Sequence, residues 1–218
     1  MEIRGIEFLE GISGDRLSTY ALIVNWFVRF HMVEYVRPSD NVLSKYQQYQ
    51  LTKLPGWKAV GTEQGSGDNQ QFAAKLAAAF KSSGATELVA LPLPFWIQGE
   101  QVGCKVDFSP QGVQALLRKW AHFEYALIGV KERQEIPTAG CVFDWEDYSV
   151  AVGNQDFLET LFGDVERAME EFTVYAYDPD WKKSGTFPRG RRDLESVDNA
   201  LRLYNDLNDY GAVIFPVL

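Results

Sequence analysis

Hydrophobic positions along this chain change period several times, and the clearest succession runs from Ala121 to Phe172. Phe123, Tyr125, Leu127 and Gly129 alternate with Glu124, Ala126, Ile128 and Val130, and both sets are largely apolar. A strand with two apolar faces belongs inside a sheet. The loop Lys131 to Gly140 is charged and contains Pro137, which suits an exposed connection. A second alternating run, Cys141 to Val152, makes the pair an antiparallel hairpin. Gly153 and Asn154 stop it, with Asn154 as an N-cap. Phe157, Leu158, Leu161, Val165, Ala168 and Phe172 then recur every three or four residues, the stripe of an amphipathic helix. Gly163 interrupts that stripe and Asp164 can cap a second helix after it.

The rest of the chain is read in the same way. A short strand is expected within Met1–Glu10. Leu17, Tyr20, Val24, Phe27, His31 and Tyr35 recur at helical spacing, and the other side is apolar too. That predicts a buried helix ended by Pro38, in competition with a strand over Leu22–Val36. Asp40–Leu54 reads as a second helix, with Leu43 and Tyr46 inward. The glycine-rich tract 61–69 reads as a polar loop, and Asp68 with Gln71 as a capping box for an alanine-rich helix ending at Gly84. Strands are expected over Thr86–Leu91 and Val102–Phe108, and a helix opened by Ser109 and Pro110. Thr173–Tyr177 reads as a short strand, 178–192 as a loop and 194–207 as a final helix. Ala212–Phe215 closes the chain as a strand that Pro216 ends or confines to a sheet edge. The fold class is α/β of the α+β type: a mixed, largely antiparallel sheet with helices packed on it. One globular domain over 1–218 is expected, with a possible subdomain boundary in the polar loop near 61–69.

Composition narrows this picture without identifying an activity. The chain of 218 residues is 46% hydrophobic, enough for a substantial core. No basic-plus-apolar leader opens it, and the apolar run Leu17–Val28 is too short to span a bilayer, so no membrane association is expected. Cys104 and Cys141 form no disulfide framework and read as small buried hydrophobes in strands, which points to a reduced, cytoplasmic location.

The net charge of −9 is unevenly spread. Residues 122–181 hold 14 acidic and 3 basic groups, whereas 182–192 hold 5 basic groups and no acidic one. Acidity of this kind argues against nucleic acid, whose phosphates demand cations.

Two stretches carry candidate chemistry. Asp144, Glu146 and Asp147 surround Trp145. On one continuous strand, alternation would set Asp144 and Glu146 on one face and Trp145 and Asp147 on the other. Such carboxylates can hold a hard cation, serve as acid and base, or form an acidic recognition patch with an aromatic anchor. A solvated strand end is the commoner fate of the run. No further ligands accompany it, so a partner-binding patch is favoured, extended by Glu159, Glu166 and Glu170 on the following helices.

The loop with Lys182, Lys183, Arg189, Arg191 and Arg192 could capture an anion, although its spacing does not match a phosphate-binding Walker loop. Folding back on the protein's own acidic face is the simpler role. His31 reads as a core histidine and His122 as a helix-end cation. Two histidines and two cysteines at these spacings make no zinc pattern, and no catalytic residue, metal or cofactor is expected. These features favour a binding module for a basic protein partner, most concretely an immunity-type inhibitor of a toxin-like protein. The alternatives are a small-ligand or anion-binding enzyme using Asp144–Asp147 with the basic loop, and a subunit of an assembly.

Overall fold

The computed structural model describes residues 7–37, 42–63, 69–93, 103–121, 123–132, 134–143, 148–178 and 190–216, with 30–37, 42–47, 190–193 and 216 described by backbone alone. Ten strands and six helices are present among them. The larger sheet has seven strands, and every pairing in it is antiparallel. In spatial order these are β1 (Leu9–Ile12), β6 (Gly103–Val106), β5 (Glu87–Pro92), β7 (Tyr125–Val130), β8 (Ala139–Phe143), β9 (Tyr148–Gly153) and β4 (Lys58–Glu63). β7 lies at the centre of this order, as two apolar faces require.

Alternation along β7 divides the core in two. Tyr125 and Leu127 face the layer of α2 (Gln70–Ser82), α3 (Pro110–Lys119) and α4 (Gln155–Phe162). Ala126, Ile128 and Val130 face α1 (Gly14–Val24), α5 (Val165–Ala176) and α6 (Gly190–Asp206). The helices start where their caps dictate. Ser109, Asn154 and Asp164 each accept a hydrogen bond from the amide three residues on, as expected from sequence. Gly163, at φ 81°, ends α4 in a conformation that favours glycine. The cap of α2 is Asn69, which accepts from the Phe72 amide at 2.9 Å, so the expected Asp68–Gln71 box is displaced by one residue.

The second sheet has three strands in the order β10 (Ala212–Pro216), β3 (Val42–Thr52), β2 (Val28–Arg37). Its inner end joins the core on the α1–α5–α6 side. There Tyr49 stacks on Phe215 at 5.2 Å, and the Tyr49 and Tyr148 hydroxyls meet at 2.9 Å, linking the two sheets. Pro216 ends a strand at the sheet edge, as its missing N–H requires.

Five expectations are corrected. The helix read through Tyr35 stops at Val24, and Phe27 turns into β2, its carbonyl accepting from the Thr52 amide at 2.8 Å. Asp40–Leu54 contains β3 rather than a helix, and Tyr49 and Leu51 are buried at period two. Distant pairing satisfies these backbones where a helix would have done so locally, and β-branched and aromatic side chains favour the outcome. Thr173–Tyr177 is not a strand, because α5 continues to Ala176 and buries Phe172 and Ala176 one turn apart. Cys141–Val152 is not one strand: β8 ends at Phe143 and β9 starts at Tyr148, the two paired through Phe143 opposite Ser149, and Asp144–Asp147 lie outside the described residues. β4 also extends to Glu63, into the tract read as a loop. Among the described residues no helix is long and apolar enough to cross a membrane.

Candidate functional site

The acidic face is built by α4 and α5. Phe157, Leu158 and Leu161 fix α4 to the sheet, and Phe172 fixes α5 by lying over Gly61 of β4, where a Cβ would come within 2.6 Å of the ring. Anchored in this way, the helices turn Glu159, Glu166 and Glu170 to solvent. Glu166 and Glu170 are one turn apart on α5, and Val174 and Tyr177 continue their line. Val174 is 72% exposed. Between 154 and 178 there are seven carboxylates and one arginine, Arg167, whose guanidinium is engaged by Glu171 at 2.8 Å. Glu166 meets Lys58 at 3.4 Å with both side chains more than half exposed, a weak pairing.

Behind this face, α5 and α6 are joined by a polar contact. Asp198 of α6 is buried, and its carboxylate accepts from the Thr173 hydroxyl at 2.9 Å and from Arg202 Nε at 2.9 Å. Arg202 also donates to Thr173 Oγ1 at 2.9 Å. A hollow of about 150 Å³ opens beside this group, lined by Gly61, Glu166, Met169, Glu170, Asp198 and Arg202 among others. Its size falls below that of a drug-sized ligand pocket, and it can take no more than a small group or a single side chain.

Of the site residues expected from sequence, Glu166 and Glu170 are brought together at this hollow, while Glu159 stands apart on α4. Asp144, Trp145, Glu146 and Asp147 lie outside the described residues, as do Lys182, Lys183, Arg189 and His122. Arg191 and Arg192 fall in the first turn of α6, with their side chains outside the described ones; His31 falls in β2 on the same terms. Sequence reading missed the Thr173–Asp198–Arg202 group. Asp198 and Arg202 are four apart on a helix and could have been paired, but Thr173 comes from another helix.

A second polar cluster was also missed. On the sheet beneath α1, Tyr20 donates to Glu87 Oε2 at 2.6 Å and Lys105 Nζ to Glu87 Oε1 at 2.7 Å. The hydrogen bond from Lys105, then that from Tyr20, holds the Glu87 carboxyl below its ordinary range. Glu87 raises Lys105 in turn, chiefly through the same hydrogen bond, and burial, followed by the bond to Glu87, raises Tyr20. Each shift moves a group away from neutrality, the opposite of what proton transfer near pH 7 needs. The cluster is an ion-paired strut.

The cysteines behave as expected for buried residues. Burial pushes the Cys104 thiol up to about 12 and raises Cys141 as well. Registers place Cys104, Ala90, Leu127 and Cys141 in one row across four strands. At about 4.8 Å per strand the two sulfurs are too far apart to bond. Among the described residues no group of three or more His, Cys, Asp or Glu could hold a metal ion. No protein-family model matches the chain, and neither a curated protein nor a solved structure does.

Proposed function

We propose that this chain is an acidic protein-binding module that covers a basic site on a partner, most concretely an immunity-type inhibitor of a toxin-like protein. The observation that supports the reading is the outer line of α5, where Glu166 and Glu170 lead into exposed Val174 and Tyr177. Carboxylates set beside exposed apolar side chains on a rigid helix combine long-range steering with a surface worth burying. The enzymatic alternative rests on Asp144–Asp147 and the loop at 182–192, whose side chains lie outside the described ones.

The test is capture of binding proteins from lysate at low and high salt, with native bait and with Glu166→Lys/Glu170→Lys. A basic protein held by the native bait, released by salt and lost with the variant, is the expected result. A partner indifferent to both salt and charge reversal would sink the reading.

A further inference from the structure

A sheet edge is a row of backbone groups able to pair with another strand, and folded chains ordinarily blunt it. The described sheets have four edges. β1 has four residues. β4 has its Ala59 N–H and C=O taken by the Asn205 side chain at 2.8 and 2.9 Å. β10 has five residues and ends in Pro216. β2 differs from all of these. It runs ten residues, Val28–Arg37, and among the described residues no strand pairs with its outer side. Beyond Gln48, β3 pairs only with β2 among the described residues, so the described far half of the hairpin is a two-stranded ribbon. Such ribbons are marginally stable alone in water.

The direction of the free groups follows from one bond. The Thr52 amide donates to the Phe27 carbonyl at 2.8 Å, so 27 and 52 stand at a hydrogen-bonding position of the ladder. Hydrogen-bonded pairs alternate along an antiparallel ladder. In the observed register, Arg29, His31, Val33, Tyr35 and Arg37 therefore bond to β3. Val28, Phe30, Met32, Glu34 and Val36 turn their N–H and C=O outward.

We propose that β2 is the interface between two copies of this chain, pairing antiparallel with itself across a two-fold axis at Met32 to form one continuous six-stranded sheet. An axis normal to the sheet keeps faces matched, so only residues of equal parity can stand opposite each other. Two registers then use nearly the whole strand. Centred on Val33, Arg29 of each copy stands opposite Arg37 of the other, a like-charge pair, and four hydrogen-bonded pairs form. Centred on Met32, Arg29 stands opposite Tyr35 and Val28 opposite Val36, with no like charges opposed. Five hydrogen-bonded pairs form, about ten main-chain bonds. The second register is better in both charge and bond count.

Sedimentation equilibrium and amide exchange by NMR across a concentration series test this directly. The expected result is a dimer that dissociates on dilution. Amides of Phe30, Met32 and Glu34 gain protection with concentration, while those of Arg29 and His31 stay protected throughout. A monomer at every concentration overturns the proposal, as does a dimer that leaves the Phe30, Met32 and Glu34 amides fast; capture of another protein's segment would give the first of these results. Met32→Pro removes an outward donor and spares the inner ladder, a placement that edge strands tolerate. It should weaken dimerisation by about tenfold or more with an unchanged circular dichroism spectrum. Dimerisation as tight as wild type would overturn the proposal, and should the variant not fold, the exchange pattern decides.

Discussion

The side-chain amide of Asn205 pairs with the backbone of Ala59 as a neighbouring strand would, accepting from its N–H at 2.8 Å and donating to its C=O at 2.9 Å. Lys53 holds the same helix end, its ammonium donating to the carbonyls of Asn205 and Leu207 at 2.7 Å each. Asn205→Ala strips both partners from a fully buried residue and should cost about 2 kcal/mol in urea unfolding. Asn205→Asp should cost more at neutral pH, where a carboxylate faces the Ala59 carbonyl. It should recover part of the loss as acid restores a donor. No pH dependence in that variant would mean the two-bond contact does not form.

Tyr125→Phe should leave stability unchanged or raise it by about 1 kcal/mol. The Tyr125 hydroxyl is fully buried with no hydrogen-bond partner among the described residues, and burial keeps the phenol strongly protonated. The ring itself is well used, stacked on Phe143 at 4.6 Å and edge-on to Trp120 at 5.2 Å, and the substitution keeps those contacts. A clear loss of stability by chemical denaturation would show that the hydroxyl is satisfied.

Glu87 carries a pH signature. Its folded carboxyl titrates below the ordinary range because of Lys105 and Tyr20, so its contribution is present above the unfolded value and lost as pH falls through the folded one. The stability gap between wild type and Glu87→Gln should be widest near neutrality. It should begin to close near pH 4.3, the ordinary glutamate value, and be gone only once pH has fallen through the lower folded value. A gap that is constant from pH 7 to pH 3 would contradict the strut.

Gly61→Ala should destabilise by about 1–3 kcal/mol, because the new methyl would lie 2.6 Å from the Phe172 ring. Phe172→Leu in the same chain should return part of that loss, a coupling that a double-mutant cycle measures. Additive effects would show that Phe172 does not rest on Gly61.

Local signals in the sequence proved readable where local chemistry decides the structure. Ser109 with Pro110, and Asn154, act as helix starts, and the two apolar faces of β7 mark the centre of the sheet. The stretch from Asn25 to Thr52 was not readable. No glycine or proline marks the turn at Asn25–Phe27, and β2 and β3 are strands because each supplies the other's hydrogen bonds. The same limit applies to the site. Glu166 and Glu170 follow from helical spacing, whereas Thr173 with Asp198, and Asn205 with Ala59, join elements far apart in sequence.

The order of strands has a consequence for synthesis. Both edges of the seven-stranded sheet, β1 and β4, come from the first 63 residues, whereas β5 to β9 between them span 87–153. A chain emerging from the ribosome therefore presents its outer strands long before the central ones exist to receive them. β3 likewise waits for β10 at 212–216. Loops of this length make folding slow and leave early strands exposed to wrong partners. The first strands therefore stay without their sheet neighbours until the middle of the chain has been made.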